Sequence, residues 1–324
     1  MQSTNAQTIA DQPYLNLLSK VDFSPIFIMG DHRSGTTLLY KTLAATECFN
    51  YVKAYHIIKY DELLSNHLNH TETQRIEELA EQFKSLGISD RTIDNVIVTP
   101  ELPEEYGFIL KNIVDDESYI TPKNLLVFQQ LCKKIQLTSD SAKPLLLKNP
   151  WDFPQFMYVK EIIPNAKFVF IHRHPLHVIN SKLKAVRILL SSWNPYTALI
   201  AQWYRTIFKN PFQRYLYQLL YSQYFNLGVR RVTEESLKST TYFLQNVDSL
   251  SSQDYLSITY EDLCQEPQKT IEKILDFLGL EAQETLDYQK LIKPRPINLL
   301  PEVEKNAQKI RQQLQAYFTY YNYN

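Results

Sequence analysis

The sequence predicts an α/β fold in which helices cover both faces of a phosphate-loop-like parallel β-sheet. Four apolar runs, each of four or five residues, are typical of buried strands. Helical patterns separate successive runs, which implies parallel strands joined by right-handed crossovers. A glycine-bearing turn follows the first run and leads into a helix-like stretch. The four runs are residues 25–29, 144–147, 167–171 and 255–259.

The composition is ordinary for a soluble globular protein. The 324 residues are 44% hydrophobic and 21% charged, and the formal net charge is −1. A chain without an overall basic field is not expected to have nucleic acid as its main partner. Its cysteines are isolated and form no C-x-x-C pair, which argues against a disulfide framework or a cysteine zinc site and fits a reduced compartment. They are Cys48, Cys132 and Cys264.

We expect a polar lead-in over residues 1–22 and a single domain over residues 23–324. The start of the chain has no basic segment followed by an apolar core. No stretch reaches the roughly 18 uninterrupted apolar residues that a membrane span needs. The sequence therefore predicts a cytoplasmic protein, with a peripheral position at a membrane left open.

Helices are predicted between and after the strands. Thr71 and Gln74 have the spacing of a capping box, and Gly87 is placed to end the helix that they open. Residues 98–107 contain two prolines and a glycine and are expected to form a loop. Further helices are predicted at residues 268–277 and 302–318.

A helical insertion is predicted at about residues 187–250, a segment dense in Tyr, Trp, Phe and Leu. Three interpretations are open for its aromatic side chains. They pack internally in a helical subdomain, they form a lid over an apolar acceptor, or they touch a membrane surface. The tyrosines of this segment also suit an interface between subunits.

The turn after the first predicted strand reads G-D-H-R-S-G-T-T, from Gly30 to Thr37. Such a strand, turn and helix start directs backbone N–H groups and the positive helix end at an anion. The glycines have the spacing of the G-x-x-x-x-G-K-[ST] loop, but Thr36 replaces the lysine, and the cation Arg33 lies within the turn. Because that lysine reaches the β- and γ-phosphates of a nucleoside triphosphate, its loss indicates a different anionic substrate.

A second anion site is predicted after the third run. Arg173 follows that run and precedes a helix start, and Ser181 comes eight residues later. Because open α/β sheets bind ligands at the carboxyl ends of their strands, both side chains are placed to hold an anion. The alternative is that Arg173 makes only a surface ion pair. Two anion sites on neighbouring strands predict a nucleotide with two separated phosphate groups.

From Pro25 to about Leu280 the chain resembles the sulfotransferases that use 3′-phosphoadenosine 5′-phosphosulfate (PAPS), and within them the bacterial and tyrosylprotein-type branch. Residues 33–38 resemble the 5′-phosphosulfate loop of this family, and residues 168–181 resemble its 3′-phosphate motif. Two further stretches agree in order and spacing. Lys148-Asn149-Pro150 is similar to the K-[DTN]-P segment, and residues 260–263 with 277–280 are similar to the C-terminal signature.

The resemblance implies roles for the loop and for Lys148. Arg33 would lie beside the bridging oxygen and the sulfuryl group, and Lys148 would place a second positive charge on that group. Sulfuryl transfer needs in-line positioning and cations but no metal, because the leaving group is already a phosphate ester. The residues implied to hold the 5′-phosphate are Arg33, Ser34, Gly35, Thr36, Thr37 and Leu38.

The resemblance also assigns the other end of the donor. Arg173 and Ser181 would hold the 3′-phosphate and so distinguish PAPS from adenylyl sulfate. Lys293 and Arg295 would close the same pocket, although no spacing fixes their place. The product would be 3′,5′-diphosphoadenosine (PAP).

Transfer to a hydroxyl acceptor needs a general base. His56 is the first candidate, because the family places its base, a histidine or a glutamate, about one helix and one strand past the loop. Lys53 and Ala54 stand where the tyrosylprotein-type glutamate is expected, and His56 has the alternative of a purely structural place in the core. Glu104 or Glu105 is the reserve candidate, which otherwise orients the acceptor or belongs to a solvated loop.

Three histidines lie close together in the sequence, His172, His174 and His177. Imidazole is a common metal ligand. Strand alternation places the first two on one side and the third in the following helix, and no carboxylate completes a set, so we expect no metal. His174 also replaces the acid often found after the 3′-phosphate arginine, so that a contact made by this acid would be absent or rearranged.

The sequence therefore predicts an enzyme, a sulfotransferase that acts on a hydroxyl acceptor. The alternatives are a phosphate-loop small-molecule kinase, which the missing loop lysine disfavours, and a nucleotide-binding protein without catalysis, which the presence of Arg33 and Lys148 disfavours. The aromatic insertion favours a small apolar, aromatic or lipid-like alcohol over a charged polysaccharide, because the latter requires a basic groove.

Overall fold

The computed structural model describes residues 10–93, 96–114, 117–282, 286–293 and 296–323. Its five-stranded sheet has the order β2-β3-β1-β4-β5, and every pair of neighbouring strands is parallel. The α/β prediction is confirmed, and the sequence missed only β2, whose two residues are too few to produce an apolar pattern. The strands are β1 (Pro25–Met29), β2 (Asn50–Tyr51), β3 (Leu145–Lys148), β4 (Lys167–His172) and β5 (Tyr255–Thr259).

Helices fill every connection between the strands. Between β1 and β4 they are α1 (Thr36–Ala44), α2 (Ala54–Ile58), α3 (Leu63–Leu68), α4 (Glu72–Ser85), α5 (Gly107–Val114), α6 (Leu125–Thr138) and α7 (Phe156–Ile162). Between β4 and β5 they are α8 (Pro175–Ser191), α9 (Pro195–Ile200), α10 (Gln202–Lys209), α11 (Pro211–Leu220) and α12 (Leu227–Asn246). After β5 they are α13 (Tyr260–Gln265), α14 (Pro267–Leu278), α15 (Tyr288–Leu291), α16 (Pro301–Lys305), α17 (Ala307–Gln313) and α18 (Gln315–Tyr320).

The sheet is buried on both faces. Successive residues of a strand point to opposite faces. Phe27, Leu147 and Phe168 belong to a core shared with α6, whereas Ile28 and Val169 belong to the opposite core, shared with α1 and α14. Two buried faces explain why the strands appear in the sequence as continuous apolar runs without polar alternation.

The predicted helices differ in detail from the observed ones. Residues 302–318 are divided among α16, α17 and α18, and residues 12–20 of the lead-in form a 3₁₀ helix. Thr71 precedes α4, but its side chain makes no capping hydrogen bond. Gly87 and Gly279 have φ angles of 67° and 69°, so both lie in the left-handed region expected where a helix ends.

The predicted insertion starts inside a helix. The boundary near residue 187 falls within α8, which continues unbroken to Ser191. Some aromatic side chains of the segment are buried, among them Tyr196 and Tyr204, whereas Phe212 and Tyr224 are exposed. Internal packing therefore accounts for only some of the aromatic side chains of this segment. Among the helices that the structure describes, none combines the length and the apolar character required to cross a membrane.

A buried ion pair ties the turn after β1 to the helices that follow β4. The Lys182 ammonium in α8 donates to Asp31 Oδ1 at 2.6 Å and to the Ser236 hydroxyl of α12 at 2.9 Å. Ser236 in turn donates to Asp31 Oδ2 at 2.7 Å. The side chains of Lys182 and Asp31 are only 7% and 8% exposed. The turn is thereby fixed from two helices.

Removing one member of this pair is expected to destabilise the protein. Asp31→Ala leaves the Lys182 charge buried without its partner, and such a loss costs about 3–5 kcal/mol, measurable as the free energy of unfolding in urea. The double change Asp31→Leu with Lys182→Met removes both charges and should recover much of that loss. Glu266→Ala, at the exposed pair with Lys269, is the control and should cost about 0–1 kcal/mol. Equal stability of the Asp31→Ala and Glu266→Ala variants would show that Asp31 does not balance a buried charge on Lys182.

Candidate active site

The turn between β1 and α1 is packed so tightly that it requires its glycines. A Cβ atom on Gly30 would lie 2.6 Å from the Ser34 hydroxyl oxygen. Gly35 has a φ of 106°, and a Cβ atom there would lie 2.5 Å from the Tyr260 ring. This backbone, which only glycine adopts easily, leads directly into α1 at Thr36. The helix start therefore faces the carboxyl edge of the sheet, where backbone N–H groups favour an anion.

Parallel pairing places the two further predicted cations on either side of this turn. Lys148 is the last residue of β3, and Arg173 directly follows β4; both strands neighbour β1. The Lys148 ammonium donates to Thr37 Oγ1 at 3.1 Å. The Arg173 guanidinium donates to the Arg33 carbonyl oxygen at 3.1 Å. The predicted residues of both anion sites are thus brought to one edge.

Arg33 and Lys148 have different partners within that edge. Arg33 adopts a left-handed backbone, with φ of 73°, and its Nε donates to the Ser181 hydroxyl at 3.0 Å. Its guanidinium therefore lies on the β4 side of the turn, while Lys148 lies on the β3 side. Arg33 joins the 3′-phosphate candidates Arg173 and Ser181, a contact that the sequence did not predict.

Among the predicted anion-binding residues, two buried polar atoms lack a hydrogen-bond partner within the described part of the chain. They are the hydroxyl oxygen of Ser34, which is 1% exposed, and Nε of Arg173. The Arg173 guanidinium also lies over the Tyr260 ring, 4.0 Å from its centroid, which fixes its plane. Because a buried unpaired donor is unfavourable, these atoms fit a site that receives an anionic group. The residues present therefore suit phosphate groups.

Glu104 and Glu105 are adjacent but have different environments. Glu104 is fully buried, and its carboxylate accepts hydrogen bonds from Tyr196 Oη at 2.6 Å and Arg91 Nη1 at 3.4 Å. Glu105 is partly exposed and forms an ion pair with Lys148. Burial, the largest single effect, would raise the pKa of the Glu105 carboxyl, but the charge and hydrogen bond of Lys148 together with His32 and Arg91 outweigh burial and lower this pKa. Glu105 is therefore an ionised carboxylate beside Lys148.

The segment after Lys148 holds Glu105 in place. Asn149 Nδ2 donates to Ser118 O at 2.8 Å and to Asp152 Oδ2 at 2.6 Å. Tyr106 Oη donates to the same Asp152 oxygen at 2.6 Å. Gly107 packs so closely on Asn149 that a Cβ atom would lie 2.6 Å from the Asn149 side-chain oxygen. Residues 104–107 are thereby fixed against the end of β3, which sets Glu105 opposite Lys148.

His56 lies in the core at the start of α2. It is 2% exposed, and its Nδ1 accepts the backbone N–H of Lys53 at 3.1 Å. Burial, followed by the charge of Lys53, lowers the pKa of His56 to about 3. A neutral imidazole that accepts at Nδ1 carries its proton on Nε2, so neither nitrogen is free to take a proton from an acceptor.

The three clustered histidines, His172, His174 and His177, contact other side chains of the protein. His172 is buried with Nδ1 at 2.7 Å from the Tyr317 hydroxyl, and burial lowers its pKa to about 3. The rings of His174 and His177 lie 4.4 Å apart. Within the described ranges, no group of three or more His, Cys, Asp and Glu side chains is arranged to hold a metal ion.

Glu261 lies near the site but was not predicted as a site residue. Glu261 Oε1 accepts the backbone N–H of His174 at 3.1 Å, so an acid contacts the turn after β4 although position 174 is a histidine. Its place in the 260–263 stretch was visible in the sequence, but its contact was not.

Of the last two predicted residues, Lys293 lies exposed beyond α15, and Arg295 lies outside the described residues.

The chain is similar to known sulfotransferases. The model of the sulfotransferase family matches residues 25–284. The crystal structure of sulfotransferase STF9 from Mycobacterium avium superposes with a TM-score of 0.66 at 13% identity, over 95% of this chain and 79% of that one. Sulfotransferase STF1 from Mycobacterium tuberculosis H37Rv gives a TM-score of 0.57 at 15% identity, over 95% and 80%. No curated protein sequence matches the chain. At such identities the two structures establish the fold.

Proposed function

The chain belongs to the sulfotransferase family, and we propose that it transfers the sulfuryl group of PAPS to the hydroxyl group of a small or lipid-like acceptor. As a family member it is a sulfotransferase enzyme. We propose PAPS as its donor and place the chain in the bacterial and tyrosylprotein-type branch. The observation that carries it is the arrangement of cations around the turn 30–35. Arg33, Arg173 and Ser181 lie together on the β4 side, and Lys148 lies with Thr37 on the β3 side.

The two groups of side chains suit the two ends of PAPS. We assign the 3′-phosphate to Arg173 and Ser181, because the unpartnered Nε of Arg173 offers a charge-assisted hydrogen bond. We assign the 5′-phosphate to Ser34 through Leu38 at the start of α1. We propose that Arg33, which lies in the turn and contacts Ser181, reaches the bridging oxygen, and that Lys148 is the cation for the transferred group. When bound, the donor supplies the sulfuryl group and a phosphate leaving group.

Glu105 is the proposed general base in preference to His56. Its carboxylate is ionised and lies beside Lys148, the proposed cation for the transferred group. His56 Nδ1 is already occupied by the backbone N–H of Lys53. Glu105 takes the proton of the acceptor hydroxyl, while Lys148 keeps the carboxylate charged until the proton arrives. Glu104 then supports its neighbour, since the N–H of Glu105 donates to Glu104 Oε1 at 3.0 Å.

The side chains next to Glu105 favour an aromatic or apolar alcohol as acceptor. The Trp151 ring lies 4.7 Å from the His32 ring and 6.0 Å from the Phe108 ring, in edge-to-face contacts. Burial, followed by the charge of Lys182, lowers the pKa of His32 to about 4, so this ring is neutral at pH 7. These three partly buried rings offer an uncharged aromatic surface between the turn and α5.

We propose that the protein is cytoplasmic and that it binds peripherally to a membrane surface. The three cysteines of the described chain are all free, which is usual in a reducing compartment. A kinase activity is disfavoured because Thr36 occupies the position of the phosphate-loop lysine. An interface between subunits at the tyrosine-rich segment is the alternative to membrane contact there.

The base assignment predicts that Glu105→Gln lowers kcat by about 10²–10⁴, because no carboxylate is left to accept the proton. His56→Asn should keep kcat within severalfold of the wild-type value if the variant folds, which its thermal unfolding checks. Glu101→Gln, in the same loop but exposed, is the matched control. Initial rates with labelled PAPS and a panel of phenols and aliphatic alcohols give the measurement. A loss confined to the His56 variant would reverse the assignment.

The Lys148–Glu105 pair predicts a change in pH dependence. The base acts deprotonated, so kcat/KM falls as the pH drops through its pKa. Lys148→Met removes the charge that lowers the pKa of Glu105 and leaves burial, which raises it, so the acid limb of the profile should move to higher pH. Lys123→Met, at an exposed lysine, should leave the limb in place. An unmoved limb in the Lys148 variant would show that the base is not coupled to this lysine.

The 3′-phosphate assignment predicts selective loss of binding in Arg173→Ala. Hydrogen bonds to charged groups contribute about 1.5–3 kcal/mol, so calorimetry should show weaker PAP binding by about one to two orders of magnitude. Binding of adenosine 5′-phosphate, which has no 3′-phosphate, should change little. Arg231→Ala, at an exposed surface pair, is the control. Equal loss for both nucleotides would mean that Arg173 acts only by holding the Arg33 carbonyl.

A further inference from the structure

Helix α11 presents an apolar stripe to solvent. Phe212, Tyr215, Leu216 and Leu219 are 71%, 59%, 48% and 41% exposed. Their spacing of three, four and seven residues places them on one side of the helix. None of the ten residues of α11 is buried. A surface helix normally turns such a stripe towards the core, so this orientation requires a reason.

The opposite side of α11 fixes this orientation. Gln218 Nε2 donates to the Leu190 carbonyl oxygen of α8 at 2.7 Å. Tyr217 and Leu220 pack against the core that α8 and α12 share. The Arg214 guanidinium lies 4.8 Å from the centroid of the Phe208 ring in α10. The helix is therefore attached through the side opposite the stripe, and this packing leaves the stripe facing solvent.

The stripe continues beyond the end of α11. Tyr224 and Phe225 follow in the connection to α12, and Leu227 begins α12; they are 77%, 59% and 47% exposed. Leu227 and Leu220 line one surface groove together with Arg230 and Arg231. We call the four stripe residues of α11 and these three the apolar surface.

The charge around the apolar surface is predominantly positive, although Glu234 and Glu235 line the same groove as Arg230 and Arg231. Residues 195–233 contain five basic residues and no acidic one, in a chain whose net charge is −1. Arg230 and Arg231 pair with glutamates one turn further along α12, but such exposed pairs are weak and break readily. The basic residues are Arg205, Lys209, Arg214, Arg230 and Arg231.

We propose that the apolar surface docks on a bilayer containing anionic phospholipid, with α11 lying in the plane of the interface. Exposed Phe, Tyr and Leu beside Lys and Arg is the pattern of interfacial helices, in which aromatic rings sit at the headgroup level and cations meet anionic lipid. A second copy of the chain fits less well. A symmetric interface would bring the net positive charge of this segment against that of its own copy, and Glu234 and Glu235 already pair with Arg230 and Arg231.

The same helical segment reaches the candidate active site. Tyr196 of α9 donates to Glu104, the neighbour of the proposed base, and Ser181 lies in α8, to which α11 is attached. Docking therefore brings the site close to alcohols dissolved in the bilayer. This consequence rests on the proposed function, since it presupposes a lipid-like hydroxyl acceptor. The docking itself does not.

The test is sedimentation of the full chain with vesicles. The wild-type protein should bind vesicles of phosphatidylcholine mixed with phosphatidylserine more tightly than vesicles of phosphatidylcholine alone, and added salt should weaken the difference. Phe212→Ser with Leu216→Ser should reduce binding at least about tenfold, because two large apolar contacts are lost. Lys209→Glu should reduce binding to the mixed vesicles only. Leu126→Ser, at an exposed leucine of α6, is the matched control and should bind as the wild type does.

Calorimetric PAP binding by each variant separates docking from the proposed function. All of these variants should bind PAP as the wild type does, because none of the changed residues lies in the site. Wild-type protein that ignores mixed vesicles, or a double variant that binds as well as the Leu126→Ser control, would overturn the proposal. A wild-type dimer in analytical ultracentrifugation that the double change disperses would also overturn it, in favour of a second copy. Failure of PAP binding in the wild type would count against the proposed function alone.

Discussion

The site depends on the parallel pairing of β1 with both β3 and β4. Parallel strands end at the same edge, so the residues that end or follow these three strands must lie side by side. Lys148 and Arg173 are separated by 24 intervening residues in the chain, yet both flank the turn that starts at Gly30. Because the turn has little space for side-chain atoms, its backbone is fixed, and both cations meet it at defined atoms.

This edge of the sheet contains both buried ion pairs and buried polar atoms without a hydrogen-bond partner. Lys148 is held by Glu105, and Asp31 is satisfied by Lys182, so these buried charges do not stand alone. Among the predicted anion-binding residues, Ser34 Oγ and Arg173 Nε have no hydrogen-bond partner within the described chain. A rigid turn with a few unsatisfied donors is suited to binding an anion, because little reorganisation is needed when the anion arrives.

The segment between β4 and β5 shows how one stretch of chain can serve both the core and the surface. Tyr196 and Tyr204 are buried, and the former supports Glu104. Phe212 and Tyr215, a few residues later, are exposed on a helix whose other side is attached to α8. The sequence shows aromatic density in both places equally. Which rings are buried depends on how α9, α10 and α11 pack against the rest of the protein.

The sequence by itself determined four of the five strands, because strands buried on both faces must be continuous apolar runs. It determined the glycine turn after β1 as well, because glycine spacing is a local property. It also placed Lys148 and Arg173 at strand ends. Tertiary structure alone decided which neighbours these residues meet. It buried His56 against the N–H of Lys53 and set Glu105 against Lys148. The physical reason is that hydrogen bonds and burial depend on segments far apart in the chain, whereas periodicity records only which face of an element is apolar.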